Sequence, residues 1–337
     1  MQTHFLFDAL RGFAPYEQIV KESAGAHAVI AASGLAGAQK AHLACALSEH
    51  TGRPLLFLCD SERSAAQTME DLSELLGGGV CLFPAREITF YQDVAASREV
   101  AYRRIETLRR LVSGEARAVV APADALLHRV MPRAVFSAHT LSLRVGEQMP
   151  TDELLGRLLA AGYTREYMVE GKGQFSVRGG IVDIYPADAP SALRVEFFDD
   201  EIDSIRQFDV MSQRSQNNLQ QAAIPPATEA PAPQEGAQSL AQELLRALAR
   251  QEEALRAGGE RADGEATLAD LPLEDGEIAA PAAFTRENRT MERFGENVRA
   301  AVSQMQSGIS SRLLEKFIHM AFDQTETILD YMTRPLI

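Results

Sequence analysis

The stretch Ala28–Ala41, AVIAASGLAGAQKA, decides the fold class. Its apolar run Ala28–Ala32 predicts a buried strand, Ser33–Gly37 a glycine-containing turn, and Gln39–Glu49 a helix with Ala41, Ala44, Cys45 and Ser48 on one face. Strand, tight turn and helix in this order are the setting of a phosphate-binding loop, G-x-x-x-x-G-K-[ST]. Aligning Gly34 and Lys40 with that pattern puts Gln39 where the last glycine belongs and Ala41 where the hydroxyl residue belongs. Glycine there lets the backbone wrap closely around phosphates, and the hydroxyl is a direct magnesium ligand. Gly34, Gly37, Gln39, Lys40 and Ala41 therefore read as a degenerate phosphate loop unfit for hydrolysis, or as an ordinary strand–turn–helix that never held nucleotide.

Working outward, Leu55–Cys59, Val80–Phe83 and Ala118–Ala121 are further short apolar runs. They alternate with helical stretches at Glu62–Leu76, capped by Ser61 and closed at Gly77–Gly79, and from Ser97 to Val112. Such alternation predicts a parallel, doubly wound α/β layer over residues 1–132. After Pro132 the pattern becomes short and alternating, at Leu141–Val145, Gln174–Val177, Ile181–Ile184, Leu193–Phe198 and Ile205–Val210, with one helix at Thr151–Ala161. Gly179–Gly180 and Asp199–Asp200 sit where hairpins turn, so 133–213 reads as a small α+β domain. Gln213–Glu235 is polar and then rich in Pro and Ala, the composition of a connector. Residues 214–337 complete the first layer, through helical runs at Ser239–Ala257, Glu292–Met305 and Leu313–Phe317 and a helix end leading into a strand at Ile328–Ile337. An acidic, glycine-rich mobile loop is expected near 258–278.

The 337 residues carry a net charge of −14, the wrong sign for a general nucleic-acid grip, and Glu229–Ile278 holds more than half of it. No apolar run approaches the roughly 20 residues that span a bilayer, and MQTHFLFDAL lacks a basic segment before an apolar one, so no membrane is expected and a cytoplasmic location is. Cys45, Cys59 and Cys81 read as reduced core thiols. The scattered histidines and the pair His42 and Cys45 make no metal site, and no catalytic constellation stands out. Arg98, Arg103, Arg104, Arg109 and Arg110 dot one helix, by default a salt-bridged solvated face, with a phosphate contact as the alternative.

The stretch Phe175–Pro186, FSVRGGIVDIYP, carries unusual polar residues for a strand pair. Arg178 precedes the double glycine, Tyr185 precedes a proline, and Arg194 and Glu196 share one face of the next strand. This composition suits a protein-binding surface, and equally a self-satisfied one in which Glu196 pairs with a neighbouring arginine.

These motifs carry a resemblance. Val169–Gln213 resembles the excision-repair protein UvrB, and with FDVMSQR (Phe208–Arg214), LFPAREITFYQD (Leu82–Asp93) and VVAPADALLHRVMP (Val119–Pro132) it resembles the transcription-repair coupling factor (Mfd) family better. The resemblance implies a RecA-like layer split in sequence, with a UvrB-type, UvrA-binding domain inserted. It implies UvrA contacts at Arg178, Tyr185, Arg194, Glu196 and Arg165, Tyr185 standing where relatives often have Phe. UvrB has an intact phosphate loop and a damage-probing β-hairpin soon after the counterpart of Phe83–Pro84; both are expected to be missing here. The family's whole protein adds an RNA-polymerase-interacting part and a duplex-DNA translocase and hydrolase that uses ATP and magnesium, and its C-terminal domain masks the UvrA surface. The chain resembles the N-terminal fragment, with no cofactor of its own. A UvrB-like ATPase using Lys40 is the alternative.

Overall fold

The computed structural model describes residues 4–25, 29–86, 98–233, 237–265 and 282–337. Two short helices, α1 (His4–Asp8) and α2 (Ala14–Ser23), lie against α3 (Gly37–Thr51). Then come β1 (Leu55–Cys59), α4 (Glu62–Leu76), β2 (Val80–Leu82), α5 (Arg98–Val112) and β3 (Ala118–Pro122). The three strands form a parallel sheet in the order β1-β3-β2. The sequence AVVAP of β3 is buried throughout because it is central and covered on both faces. Val119 and Ala121 pack with Ile105 and Leu108 of α5, while Ala118 and Val120 face Cys45 of α3 and Leu72 of α4. Helix α4 starts where Ser61 accepts the Ser64 N–H through its hydroxyl and ends at Gly77 in the left-handed conformation, as its flanking residues predict.

After α6 (Arg133–Ala138) the chain builds β4 (Leu141–Arg144), α7 (Thr151–Ala160), β5 (Thr164–Arg165), β6 (Gln174–Arg178), β7 (Ile181–Tyr185), β8 (Ala192–Phe198), β9 (Glu201–Phe208), β10 (Ser215–Leu219) and β11 (Gln221–Ile224). Six of these form a sheet in the order β10-β9-β8-β7-β6-β5, antiparallel except between β5 and β6, and β11 pairs with β4. One face carries Phe175, Val182, Ile184, Leu193, Val195 and Ile205 onto α7 residues Leu154 and Leu158. Two long helices, α8 (Ala237–Glu265) and α9 (Ala282–Gln306), pack together through Leu244, Leu248, Val298 and Val302.

Several expectations are corrected. Residues 29–33 form no strand, and Val29 is 98% exposed. The free edge of β1 instead bonds Leu336, whose carbonyl accepts from the Leu56 N–H at 2.7 Å while its own N–H donates to the Pro54 carbonyl at 2.8 Å. That single bridge, Leu55 with Leu336, is all that forms of the strand expected at Ile328–Ile337. Residues 215–224, read as part of a connector, are two paired strands whose polar residues lie in exposed ladders. The loop expected from Gly258 begins as helix, since α8 runs to Glu265; the part from 266 to 281 lies outside the described residues. So does 87–97, where the damage-probing hairpin was expected to be absent. Among the described residues no helix is long and apolar enough to cross a membrane.

Candidate binding face of the six-stranded sheet

The register of β6 to β9 sorts the candidates by face. Ser176, Asp183, Arg194 and Arg206 stand in one cross-strand row, and Arg178, Ile181, Glu196 and Ser204 in the next. Both rows lie opposite the apolar core, since side chains alternate along each strand. The Gly179–Gly180 turn aligns them: Gly179 has φ of +59°, and a Cβ on Gly180 would meet the Phe197 carbonyl oxygen at 3.0 Å. A side chain at Gly179 would be strained by its left-handed backbone, and one at Gly180 would press on the Phe197 carbonyl of β8.

At the centre is Asp183, 2% exposed. Arg194 donates from Nε to Oδ1 at 2.7 Å and from Nη2 to Oδ2 at 2.9 Å, the planar fork that suits a carboxylate. Arg178 donates from Nη2 to the same Oδ2 at 2.6 Å, reaching diagonally across the hairpin, and remains 50% exposed. Arg194 also lies over the Phe208 ring at 4.7 Å and faces the Gln213 amide oxygen at 3.5 Å. Hydrogen bonding to Asp183 raises the pKa of Arg194 further, against the effect of its partial burial. Glu196 accepts from the Ser204 hydroxyl at 2.9 Å and from Arg206 Nη2 at 3.1 Å. Tyr185 stands beyond these charges, beside Val169, Ala192, Phe208 and Val210, and its hydroxyl donates to the Pro190 carbonyl at 3.1 Å. The face thus has a charged end and an apolar end.

Arg178, Tyr185, Arg194 and Glu196 therefore share one surface. Arg165 does not: β5 aligns it with core-facing Phe175, so it projects from the sheet edge on the opposite side. Sequence reasoning missed Asp183, Arg206, Phe208 and Gln213 as members. Counting back across the two-residue turn from Arg178 and Ile181 would have placed Asp183 among the arginines.

The loop read as a degenerate phosphate site closes on itself. The Gln39 side-chain oxygen accepts the Ala36 N–H at 2.9 Å, taking a donor that a bound phosphate would need. Gly34 has φ of +81°, Gly37 opens α3, Lys40 is exposed, and Ala41 is buried beside Phe7 and Tyr16. The three cysteines are buried free thiols; burial pushes Cys45 up to about 12 and Cys81 to about 11. Among the described residues no three His, Cys, Asp or Glu side chains gather as metal ligands would.

Of the α5 arginines, Arg104 and Arg109 are committed to partners within the fold, while Arg103 sits in the salt-bridged solvated face that was the default reading and Arg98 is exposed. Arg104 is wholly buried, pairing with buried Glu229 at 2.6 and 3.0 Å and donating to the Pro84 carbonyl at 2.8 Å. Arg103 pairs with Glu99, Arg110 lies 3.9 Å from Glu106, and Arg109 pairs with Glu115 and with Asp188 at 2.6 Å. Hydrogen bonding from Arg109 holds Glu115 down at about 2. Arg104 to Glu229, Arg109 to Asp188 and the Tyr102 hydroxyl on the Lys172 carbonyl (2.9 Å) join α5 to the small module.

Residues 141–229 match the UvrB interaction domain family, and this span holds the whole charged face. Over those residues the chain is similar to the UvrB interaction domain. It is 29% identical over 300 residues, 89% of its length, to the transcription-repair-coupling factor of Bacillus subtilis, of which it covers 23%. It is 32% identical over 198 residues to the Staphylococcus aureus (strain Mu50) protein of that name, matching 58% of this chain and 17% of that one. The Staphylococcus haemolyticus protein is 31% identical over 204 residues, 60% of this chain and 17% of the relative. The UvrB interaction domain and the similarity beyond it bear out the resemblance read from the motifs. The chain spans less than a quarter of the length of these curated relatives.

Proposed function

We propose that the outer face of β6 to β9 binds UvrA, and that the chain recruits it as the non-hydrolysing part of a transcription-repair coupling factor. The observation that carries this reading is the charged face itself, with Arg178 half exposed and tied to Asp183 inside a UvrB interaction domain. Arg178, Arg194, Glu196 and Tyr185 are its contacts; Arg165 reaches UvrA only if the partner wraps the sheet edge. The parallel β1-β3-β2 layer, with helices on both faces and a turn before α3, supports a degenerate RecA-like origin. The Gln39 cap and buried Ala41 favour a loop that no longer turns over ATP, against a UvrB-like ATPase. In the whole protein, ATP-driven translocation on duplex DNA would displace a stalled RNA polymerase, and this cytoplasmic module would bring UvrA to the lesion.

The test is a calorimetric titration of the chain with UvrA, repeated with Arg178→Glu. Micromolar or tighter binding by the wild type and its loss in the variant are expected. A central arginine of this kind is worth about 2 kcal/mol or more on truncation, and charge reversal more. Wild-type protein that is folded and does not bind UvrA removes the recruiting role.

A further inference from the structure

Asp183 is explained by what it does to its neighbours. A buried carboxylate under two guanidiniums gains little over a well-packed apolar residue, because desolvation offsets much of the attraction. Asp183 nevertheless sits 2% exposed in the middle of β7, bonded to Arg194 through both oxygens and to Arg178 through Oδ2. Its cross-strand neighbour Ser176 has a buried hydroxyl with no hydrogen-bond partner among the described residues, so on β6 the carboxylate is engaged by Arg178 and not by Ser176. Each arginine would otherwise sample many rotamers on an exposed face. Fixing both before contact removes an ordering cost from binding, roughly tenfold to a hundredfold in affinity for two such side chains.

We infer that Asp183 is a positioning residue of the UvrA surface: it holds Arg178 and Arg194 in the geometry that meets carboxylates on the partner, without touching the partner itself. This rests on the reading of the face as the UvrA site. One carboxylate under two guanidiniums leaves an excess positive charge where Arg178 is exposed, which suits an acidic patch. Asp183 lowers that positive charge, so mere charge attraction and positioning predict opposite signs when it is neutralised.

The experiment is UvrA titration of wild type, Asp183→Asn, Arg178→Ala and the double variant, with circular dichroism and urea midpoints on each. The expected result is wild-type binding that weakens about tenfold or more in Asp183→Asn, and a smaller effect of Asp183→Asn, the share owed to Arg194, when Arg178→Ala is already present. Folded Asp183→Asn that binds as tightly as wild type, or more tightly, overturns the inference and leaves the UvrA reading standing. Wild-type protein that fails to bind overturns both. Should Asp183→Asn not fold, arginine side-chain NMR on the unbound wild type decides, with Arg178 assigned through Arg178→Lys. Slow guanidinium rotation at Arg178 and Arg194 is expected, and rotation as fast as at a free surface arginine overturns the inference.

Discussion

Gln39 shows how a single residue can look like a damaged motif and act as a structural part. By the phosphate-loop pattern it is an error at the glycine position. By the geometry it is a cap, accepting the Ala36 N–H at the start of α3. Gln39→Ala is therefore expected to destabilise the chain by about 0.5–2 kcal/mol, measured by urea unfolding, since a helix-end donor loses its partner. Gln39→Gly reopens the loop, yet it gains no ATP turnover, because Ala41 packs beside Phe7 and Tyr16 and offers magnesium no oxygen. Magnesium-dependent hydrolysis by Gln39→Gly that Lys40→Ala abolishes would reverse this reading. The departures from the phosphate-loop pattern were legible in the sequence, because they follow from residue types alone. The cap was not, because it depends on which way one side chain folds back.

Helix α5 makes the same point for an element. Its five arginines read as a salt-bridged, solvated face, which Arg103 with Glu99 bears out and Arg104 does not, because periodicity reports which residues share a face and not what that face meets. The partners lie far along the chain: Lys172 for Tyr102, Asp188 for Arg109 and Glu229 for Arg104. The strands β1, β2 and β6 to β8 were legible, being apolar or alternating runs bounded by turn residues. Of the strand expected at Ala28–Ala32, residues 29–32 were misread, since a run of small apolar residues becomes a strand only where a free edge is open, and Leu336 bonds that edge of β1. Contact between α5 and the small module is tight at Gly173, whose φ is +74° and where an added Cβ would lie 2.2 Å from the Tyr102 hydroxyl. Gly173→Ala is expected to cost about 1–2 kcal/mol from the left-handed backbone alone, and more from the clash. Combined with Tyr102→Phe, which removes the nearest atom, the loss should be smaller than the sum of the single changes, as a urea-denaturation double-mutant cycle would register. Strict additivity would mean that the two residues do not meet.

At the scale of the molecule, the Arg104–Glu229 pair fastens the parallel sheet to the segment leaving the small module. Ala227 packs against the cores of both. Burial opposes the charge on Glu229, and the cations Arg104 and Arg86 outweigh it, holding the carboxyl below its ordinary value of 4.5. A depressed carboxyl pKa gives stability that is present in full above the unfolded value and is lost as pH falls through the folded one. Glu229→Gln leaves Arg104 buried without its counter-charge, at a cost of about 3–5 kcal/mol near neutral pH. The difference from wild type should hold from pH 8 to about 5 and shrink below that, as wild-type Glu229 takes up a proton. Hydrogen exchange read by mass spectrometry gives the structural consequence. In the wild type, β1–β3 and β6–β8 should open together; in Glu229→Gln the six-stranded sheet should keep its protection while the parallel layer exchanges faster. The small module has its own apolar core and needs Glu229 only to stay attached, so UvrA binding by the folded variant should persist. A pH-independent difference would show that the Glu229 charge is not what holds the joint, and a loss of UvrA affinity matching the loss of stability would show that the joint and the binding face form one cooperative unit.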